Sequence, residues 1–238
     1  QFYEDNIEDI SLLMDHIKQS FPEVTSLLYV INRKVNNTIY DQEIICYHGN
    51  DHIREEIDGL SFNIGPKTFF QTNSDQVKIL YSKTKKLSNI KKSDIVYDLY
   101  TGTGTIAQYI AKDANKVIGI DSVEEGIQAA YKNARRNGIK NCFFYTGDMK
   151  DIFTNTFIQD NGSPDIIITD PPREGMHKKV VEQICKIGAK KIVYVSCNSS
   201  TQARDISIMK DIYHITHIQP IDMFPQTHHV ENVVLLEK

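Results

Sequence analysis

Long apolar runs are missing from this sequence of 238 residues. A membrane-spanning helix needs about 20 consecutive apolar residues, and no stretch here approaches that length. The opening residues, QFYEDNIEDI, carry neither the basic end nor the apolar centre of a secretory signal. We therefore expect a cytoplasmic protein with no membrane partner.

Cysteine is scarce, and net positive charge is absent. The four cysteines, Cys46, Cys142, Cys185 and Cys197, show no CxxC or CxxH spacing, which predicts reduced thiols with no metal site and no disulfide framework. The formal net charge is −4. Because nucleic-acid binding requires Lys and Arg to neutralise phosphates, an RNA partner would have to contact a local basic patch.

From residue 92 onward, short β-branched runs alternate with longer amphipathic stretches. This pattern is typical of βαβ units, and the near-continuous apolar runs are those of a parallel sheet covered on both faces. The last two runs, THIQPIDMF and HHVENVVLLEK, predict an antiparallel pair that closes a mixed sheet. The five preceding strands are predicted over residues 94–100, 116–121, 142–148, 164–170 and 190–197.

The N-terminal part has a different pattern. A helix over residues 7–19 precedes the strand-like runs SLLYVINR, EIICYHG and LSFNIG, and a second helix opens near Asn73. We predict a small α+β lobe over residues 1–72, as part of a central domain, and a main α/β domain over residues 73–238.

The first βα turn, DLYTGTGTIA, indicates a nucleotide-like cofactor. Gly102 and Gly104 let backbone amides approach a ligand, and Asp121 ends the next strand, where a carboxylate can hold ribose hydroxyls. A dinucleotide is one alternative at this point. Asp98 favours S-adenosylmethionine instead, since a carboxylate suits its amino group better than a pyrophosphate. Asp148, at the end of the third strand, is predicted to contact the adenine.

Two further strand ends supply a candidate reaction centre. Asp170 and the following Pro-Pro pair end the fourth strand and face the same crevice, where they would position a planar base. Cys197 ends the fifth strand before a helix, whose amides are expected to lower the pKa of the thiol. The thiolate would add to C6 of a pyrimidine so that C5 can accept a methyl group. Glu231 is the carboxylate predicted to remove the C5 proton.

With these residues in place, the sequence resembles the uracil-5 RNA methyltransferases, which use S-adenosylmethionine to make 5-methyluridine in tRNA and ribosomal RNA. The similarity runs from about residue 23 to the end of the chain. The resemblance implies a Rossmann-like class I methyltransferase fold with a mostly parallel seven-stranded sheet and an antiparallel C-terminal strand. It rests on the ordered motifs FFQTNSDQ, DLYTGTGTI, DPPREG, VSCNSSTQARD and DMFPQTHHVE.

The resemblance also implies residue roles. Cys197 matches the nucleophile and Glu231 the proton-abstracting base, while Phe69 matches an aromatic beside the flipped uracil. Arg173, after the Pro-Pro pair, is placed beside the same base. Cofactor contacts are implied for Gln71, Tyr100, Asp121 and Asp170, with Asp170 also near the base. 23S rRNA is preferred over tRNA as the substrate, and a monomer is expected.

The sequence departs from the family in several places. Thr101 replaces the usual cysteine, and Thr105 replaces the common asparagine, so Thr105 is assigned to the cofactor on position alone. The OB-like RNA-binding domain and the iron–sulfur cysteines of some members are missing, and we expect a fragment of a longer protein.

Three rival functions fit part of this pattern. An RNA cytosine-5 methyltransferase would carry a second cysteine where this chain has Arg173. A catalytically idle RNA-binding module would not need Cys197 and Glu231. A nicotinamide-dependent oxidoreductase is suggested by the Tyr-x-x-x-Lys spacing from Tyr81 to Lys85, but that pair should follow the glycine turn and here precedes it. We interpret it as a chance match on a helix surface.

Overall fold

The N-terminal segment forms a helix packed on a short hairpin. In the computed structural model, which describes residues 1–238, the first helix begins after Asn6, whose side chain accepts hydrogen bonds from the amides of Glu8 and Asp9. Ile10 of this helix packs against Leu27 of the hairpin in a small separate core. The elements are α1 (Ile7–Ser20), β1 (Ser26–Tyr29) and β2 (Ile45–Gly49), with β1 and β2 antiparallel.

A second antiparallel hairpin, β3 (Ile53–Ile57) and β4 (Leu60–Ile64), joins the lobe to the main body of the protein. Its side chains Ile57 and Phe62 belong to the core of the main sheet. The backbone amide of Asn63 donates to Oδ1 of Asn133 at 2.9 Å. Strand β3 was not predicted, because its sequence IREEI lacks alternation of apolar and polar residues. The boundary at residues 72 and 73 stays a prediction.

The main domain is built on one seven-stranded sheet of order β10-β11-β9-β8-β5-β6-β7. Strands β5 to β9 run parallel, and β11 runs antiparallel between β9 and β10. The predicted α/β fold with its antiparallel C-terminal strand is therefore confirmed. The strands are β5 (Ile95–Leu99), β6 (Lys116–Asp121), β7 (Cys142–Thr146), β8 (Ile166–Thr169), β9 (Lys191–Ser196), β10 (His214–Ile221) and β11 (Glu231–Glu237).

Helices cover both faces of the sheet, as its apolar strands require. One face packs under α2, α3 and α4, and the opposite face under α5, α6, α7 and α8. None of the helices has the length and apolar character of a membrane span. The helices are α2 (Ser74–Ser88), α3 (Thr105–Ala111), α4 (Glu124–Arg136), α5 (Met149–Ile152), α6 (Asn155–Asn161), α7 (Lys178–Ile187) and α8 (Ser199–Met209).

Candidate active site

A cavity of about 540 Å³ opens at the carboxyl ends of the parallel strands. That edge is where open α/β sheets bind ligands, and the volume lies within the range of small-molecule and cofactor sites, about 300–1,000 Å³. Most of the predicted site residues meet on its wall. The structure brings together Phe69, Gln71, Tyr100, Gly102, Thr105, Asp121, Asp170, Arg173, Cys197 and Glu231.

The turn after β5 supplies the floor of the cavity through backbone in the left-handed region. Tyr100 has φ +65°, an unusual value for a side chain of this size, and Gly102 has φ +54°. Gly104 has φ +73° and begins α3 as its N-terminal cap residue. A Cβ at Gly104 would come within 2.8 Å of Cβ of Ala130 and Cε1 of Phe144. Gly104 therefore serves close packing beneath the turn and does not line the cavity.

Asp98 holds this turn from below. Its Oδ2 accepts hydrogen bonds from the Thr101 hydroxyl at 2.5 Å and from the Ala107 amide at 3.1 Å, while its Oδ1 is buried without a partner. Burial raises the pKa of Asp98 to about 7, against the two hydrogen bonds that lower it. The Thr101 hydroxyl, at the position where a cysteine was expected, thus fixes the turn. Asp98 does not line the cavity, and its contact with a cofactor amino group stays a prediction.

Asp121 ties the end of β6 to the same turn. Its Oδ2 accepts from the amide of Gly102 at 2.8 Å, and its Oδ1 accepts from the amide of Val123 at 2.9 Å. Each carboxylate oxygen can accept a second hydrogen bond, and the side chain faces the cavity. Asp121 therefore keeps lone pairs for hydroxyl donors in the cavity, and its contact with a ribose stays a prediction.

Asp148 lies outside the cavity. Its side chain caps α5, where Oδ1 accepts from the amide of Lys150 at 3.1 Å and Oδ2 pairs with Nζ of Lys150. These contacts with Lys150 lower the pKa of Asp148. The predicted adenine contact is untested, and the structure gives Asp148 a capping role of its own.

Cys197 and Glu231 lie at the same end of two neighbouring strands and line the same cavity. Cys197 directly follows β9, and Glu231 begins β11, which pairs antiparallel to β9 with Asn232 opposite Ser196. Glu231 is buried, and its Oε2 has no hydrogen-bond partner. Burial raises the pKa of Glu231, while the guanidinium of Arg173 lowers it. A raised pKa makes this carboxylate a stronger base.

The expected lowering of the Cys197 pKa is wrong. Burial raises the pKa of Cys197, the carboxylates of Glu231 and Asp170 raise it further, and only Arg173 opposes them. Oδ1 of Asn198, the cap residue of the helix that follows, accepts from the amide of Ser200 at 3.1 Å. Arg173 is therefore the one positive charge that favours the thiolate.

Asp170 is fixed at the end of β8, between the glycine turn and the thiol. Its amide donates to the carbonyl of Leu99 at 3.3 Å, and its side chain faces the cavity rather than bulk water. Burial raises the pKa of Asp170 well above its usual range, and the charges of Glu231 and Asp98 raise it further. Asp170 and Glu231 thus place two carboxyl groups with raised pKa values on one wall of the cavity, an arrangement typical of functional sites.

Sequence reasoning missed several residues of the cavity wall. Tyr81 is buried and faces the cavity, with its hydroxyl 2.9 Å from Oγ1 of Thr105, so its interpretation as a surface residue is wrong. Lys85, four residues on, instead pairs with Asp113 at 2.6 Å. Tyr81 lies on the buried, apolar face of α2, and that position in the helical pattern was the signal that could have identified it as a buried residue. Other missed lining residues are Tyr40, Lys67, Phe70, Phe224 and His229.

Metal ligands are not clustered anywhere in the structure. No group of three or more His, Cys, Asp or Glu side chains has an arrangement that suits a metal ion.

The strand order and the ligand-binding turn define a class I methyltransferase fold. The chain belongs to the tRNA (uracil-5-)-methyltransferase family, whose sequence pattern matches residues 49–238. It superposes with a TM-score of 0.77 and 34% identity on the crystal structure of Pyrococcus abyssi tRNA (uracil-54, C5)-methyltransferase in complex with S-adenosyl-L-homocysteine, covering 92% of this chain and 52% of that one.

Curated relatives are similar over nearly the whole chain. A Bacteroides thetaiotaomicron protein named an uncharacterized RNA methyltransferase is 54% identical over 225 residues, which are 94% of this chain and 50% of that protein. A Porphyromonas gingivalis protein of the same name is 51% identical over 237 residues, 99% of this chain and 51% of that protein. The chain thus spans about half the length of the curated relatives it matches.

Proposed function

We propose that this chain is the catalytic part of an RNA methyltransferase that transfers a methyl group from S-adenosylmethionine to C5 of a uridine. One observation carries the proposal: Cys197, Glu231 and Asp170 meet on the wall of the cavity that also holds the glycine turn. A thiol, a buried base and a cofactor-sized crevice are the parts that this reaction needs.

The residues of the crevice fit the cofactor. Asp121 has lone pairs free for ribose hydroxyls, as argued above, and Gly102 has no atom within 4 Å of where a Cβ would stand, so its backbone is open to a ligand. Gln71 and Tyr100 would contact the remainder of the molecule. S-adenosylmethionine supplies, when bound, an electrophilic methyl group. S-adenosylhomocysteine is the product.

Two residues of the chain perform the covalent chemistry in this proposal. The Cys197 thiolate forms a bond to C6 of the uracil, and the C5–C6 π electrons move to C5, which becomes nucleophilic. After C5 carries the methyl group, Glu231 removes the C5 proton. The released electron pair restores the C5–C6 double bond and expels the thiolate. Glu231 then gives the proton to solvent before the next turnover.

Base choice rests on Phe69 and Arg173. Phe69 is 70% exposed at the cavity, where its ring would stack on a uridine extruded from its helix. Arg173 occupies the place of the second cysteine expected of a cytosine-5 enzyme, and its backbone carbonyl accepts from Nδ2 of Asn198 at 3.1 Å and from the Thr201 hydroxyl at 3.0 Å. The backbone of Arg173 is therefore anchored beside Cys197, and the lack of a second cysteine at this position argues for uracil rather than cytosine.

We propose 23S rRNA rather than tRNA as the substrate, although the family is named for tRNA. Recovery of the modified RNA decides between them. The monomeric state and the cytoplasmic location also stay predictions.

Trapping with 5-fluorouridine tests the function directly. The full-length protein is incubated with 5-fluorouridine-substituted total RNA and S-adenosylmethionine, and denaturing gels reveal any covalent protein–RNA adduct. Fluorine at C5 does not leave as a proton does, so the adduct persists. We expect an adduct in the wild type and none in Cys197→Ala. Bound S-adenosylhomocysteine without any adduct would instead support an idle binding module, and NAD binding would support an oxidoreductase.

A further inference from the structure

An exposed tyrosine of the small lobe reaches the cavity of the main domain. Tyr40 lies in the connection between β1 and β2, outside the residues 49–238 that match the family. It lines the same cavity as Phe69, and its side chain is 58% exposed. A tyrosine this exposed contributes little to the core. Its hydroxyl makes no hydrogen bond within the protein, so neither packing nor hydrogen bonding explains the position of the ring.

The connection that carries Tyr40 is held by its own polar contacts. Nδ2 of Asn32 donates to the carbonyls of Asn36 at 3.1 Å and Thr38 at 3.3 Å. Lys34 donates to the Thr38 hydroxyl at 3.0 Å and pairs with the carboxylate of Asp41, the residue after Tyr40. These contacts fix the chain on both sides of the tyrosine, so the ring is presented at the cavity by a defined loop.

Positive charge accompanies the two aromatic rings. Lys67 and Arg173 line the same cavity, and neither takes part in any ion pair of the structure. Lys67 is available to a phosphate, whereas Arg173 also acts on Cys197 and Glu231. A cation beside exposed aromatic rings is the combination that binds single-stranded nucleic acid, because the cation contacts phosphates while the rings stack on bases.

We infer that Tyr40 is an RNA-contacting residue whose ring stacks on a base next to the uridine that reaches Cys197. The inference rests on the proposed function, since a uridine extruded from its helix leaves its neighbouring bases with an exposed face. Phe69 is assigned to the uracil itself, so the second ring is available for a flanking nucleotide. Stacking requires the ring and not the hydroxyl, which makes Tyr40→Phe the conservative variant.

The test compares Tyr40→Ala with Tyr40→Phe and with Tyr3→Ala in the full-length protein. Tyr3 is the matched control, because it is an exposed tyrosine of the same lobe, at 68%, and does not line the cavity. The rate of adduct formation is measured against the concentration of 5-fluorouridine-substituted RNA, and the affinity for S-adenosylhomocysteine is measured by calorimetry.

We expect Tyr40→Ala to raise the RNA concentration at half-maximal rate by about 5- to 150-fold, the range that loss of one base–aromatic stack produces. The maximal rate and the affinity for S-adenosylhomocysteine should stay unchanged, and Tyr40→Phe and Tyr3→Ala should match the wild type. A half-maximal concentration equal to that of Tyr3→Ala would overturn the inference, as would an equal loss of S-adenosylhomocysteine affinity. If the wild type itself forms no adduct, the proposed function fails instead.

Discussion

Glu231 and Cys197 are the next residues beyond the Asn232–Ser196 pair on the antiparallel strands β11 and β9. The end of this ladder therefore brings a buried carboxylate and a thiol to the same edge of the sheet. Glu231 is held in β11 by its pairing with Ile221 of β10, and a one-residue slip of β11 would turn Glu231 to the other face of the sheet. Cys197 directly follows Ser196, the last residue of β9.

Glu231→Gln should separate methyl transfer from product release. The amide fills the same volume but does not accept the C5 proton, so the methylated adduct should persist on ordinary RNA. We expect turnover to fall by about 10²- to 10⁴-fold, the usual contribution of a general base, while a denaturation-resistant adduct accumulates. With methyl-labelled S-adenosylmethionine, the adduct is measured as label that stays with the protein band on a denaturing gel. Free release of methylated RNA by this variant would refute the assigned role.

Arg173 should control the ionisation of Cys197. Because its positive charge lowers the pKa of the thiol against burial and two carboxylates, Arg173→Met should raise that pKa, and alkylation of Cys197 by iodoacetamide should become several-fold slower at neutral pH. Alkylation should recover as the pH rises. Mass spectrometry of the Cys197 peptide measures the profile.

The chain provides internal controls for this profile. Arg173→Lys keeps the positive charge and should shift the pH profile less than Arg173→Met does. Cys46 is exposed, and its alkylation rate should be the same in every variant. An identical Cys197 profile in wild type and Arg173→Met would show that the guanidinium does not act on the thiol.

Replacing Gly104 and Gly138 by alanine should distinguish the cost of a left-handed backbone from the cost of a steric clash in the core. Both have positive φ, +73° and +67°, but a Cβ at Gly104 would meet Ala130 and Phe144 at 2.8 Å, whereas a Cβ at Gly138 has nothing within 4 Å. Gly138→Ala should cost about 1–2 kcal/mol for the backbone alone. Gly104→Ala should cost about 1–3 kcal/mol more, since the core must also shift. Urea unfolding measures both, and equal losses would contradict the packing argument.

The ends of the parallel strands were the part of the site that sequence could predict. Gly102, Asp121, Asp170 and Cys197 each follow an apolar run, and parallel strands end at one edge of the sheet. The pattern therefore placed them together before any contact was known. Tyr40 and Phe224 lie outside the repeating units, in connections without periodicity, so no pattern placed them at the cavity.

The local surroundings of each side chain determine which residues at the strand ends face the cavity and how they ionise. Asp98 follows the same strand rule, yet it lies under the turn because Thr101 and Ala107 both donate to it. Asp148 ends a strand but caps α5. The pKa of Cys197 was predicted in the wrong direction because burial and the carboxylates of Glu231 and Asp170 raise it. Each outcome depends on which neighbours surround a side chain in space, which residue order alone does not specify.

Tyr81 and Thr105 should act as one unit in cofactor binding. A phenol is the stronger donor of the two hydroxyls, so Tyr81 is expected to donate to Oγ1 of Thr105 over their 2.9 Å contact. The Thr105 proton is then free to be donated to an acceptor in the cavity. Tyr81→Phe and Thr105→Val should each weaken S-adenosylhomocysteine binding by about 1 kcal/mol, the net value of one hydrogen bond.

The double variant tests the coupling between these two hydroxyls. If Tyr81 acts only by orienting Thr105, Tyr81→Phe should add nothing to Thr105→Val, and calorimetry should give the double variant the same affinity as Thr105→Val alone. Lys85→Met on the same helix, where Lys85 pairs with Asp113 away from the cavity, should bind like the wild type. Additive losses of affinity in the double variant would mean that each hydroxyl contacts the ligand independently. If Tyr81→Phe lowers the stability of the protein but leaves the affinity unchanged, Tyr81 is a packing residue only.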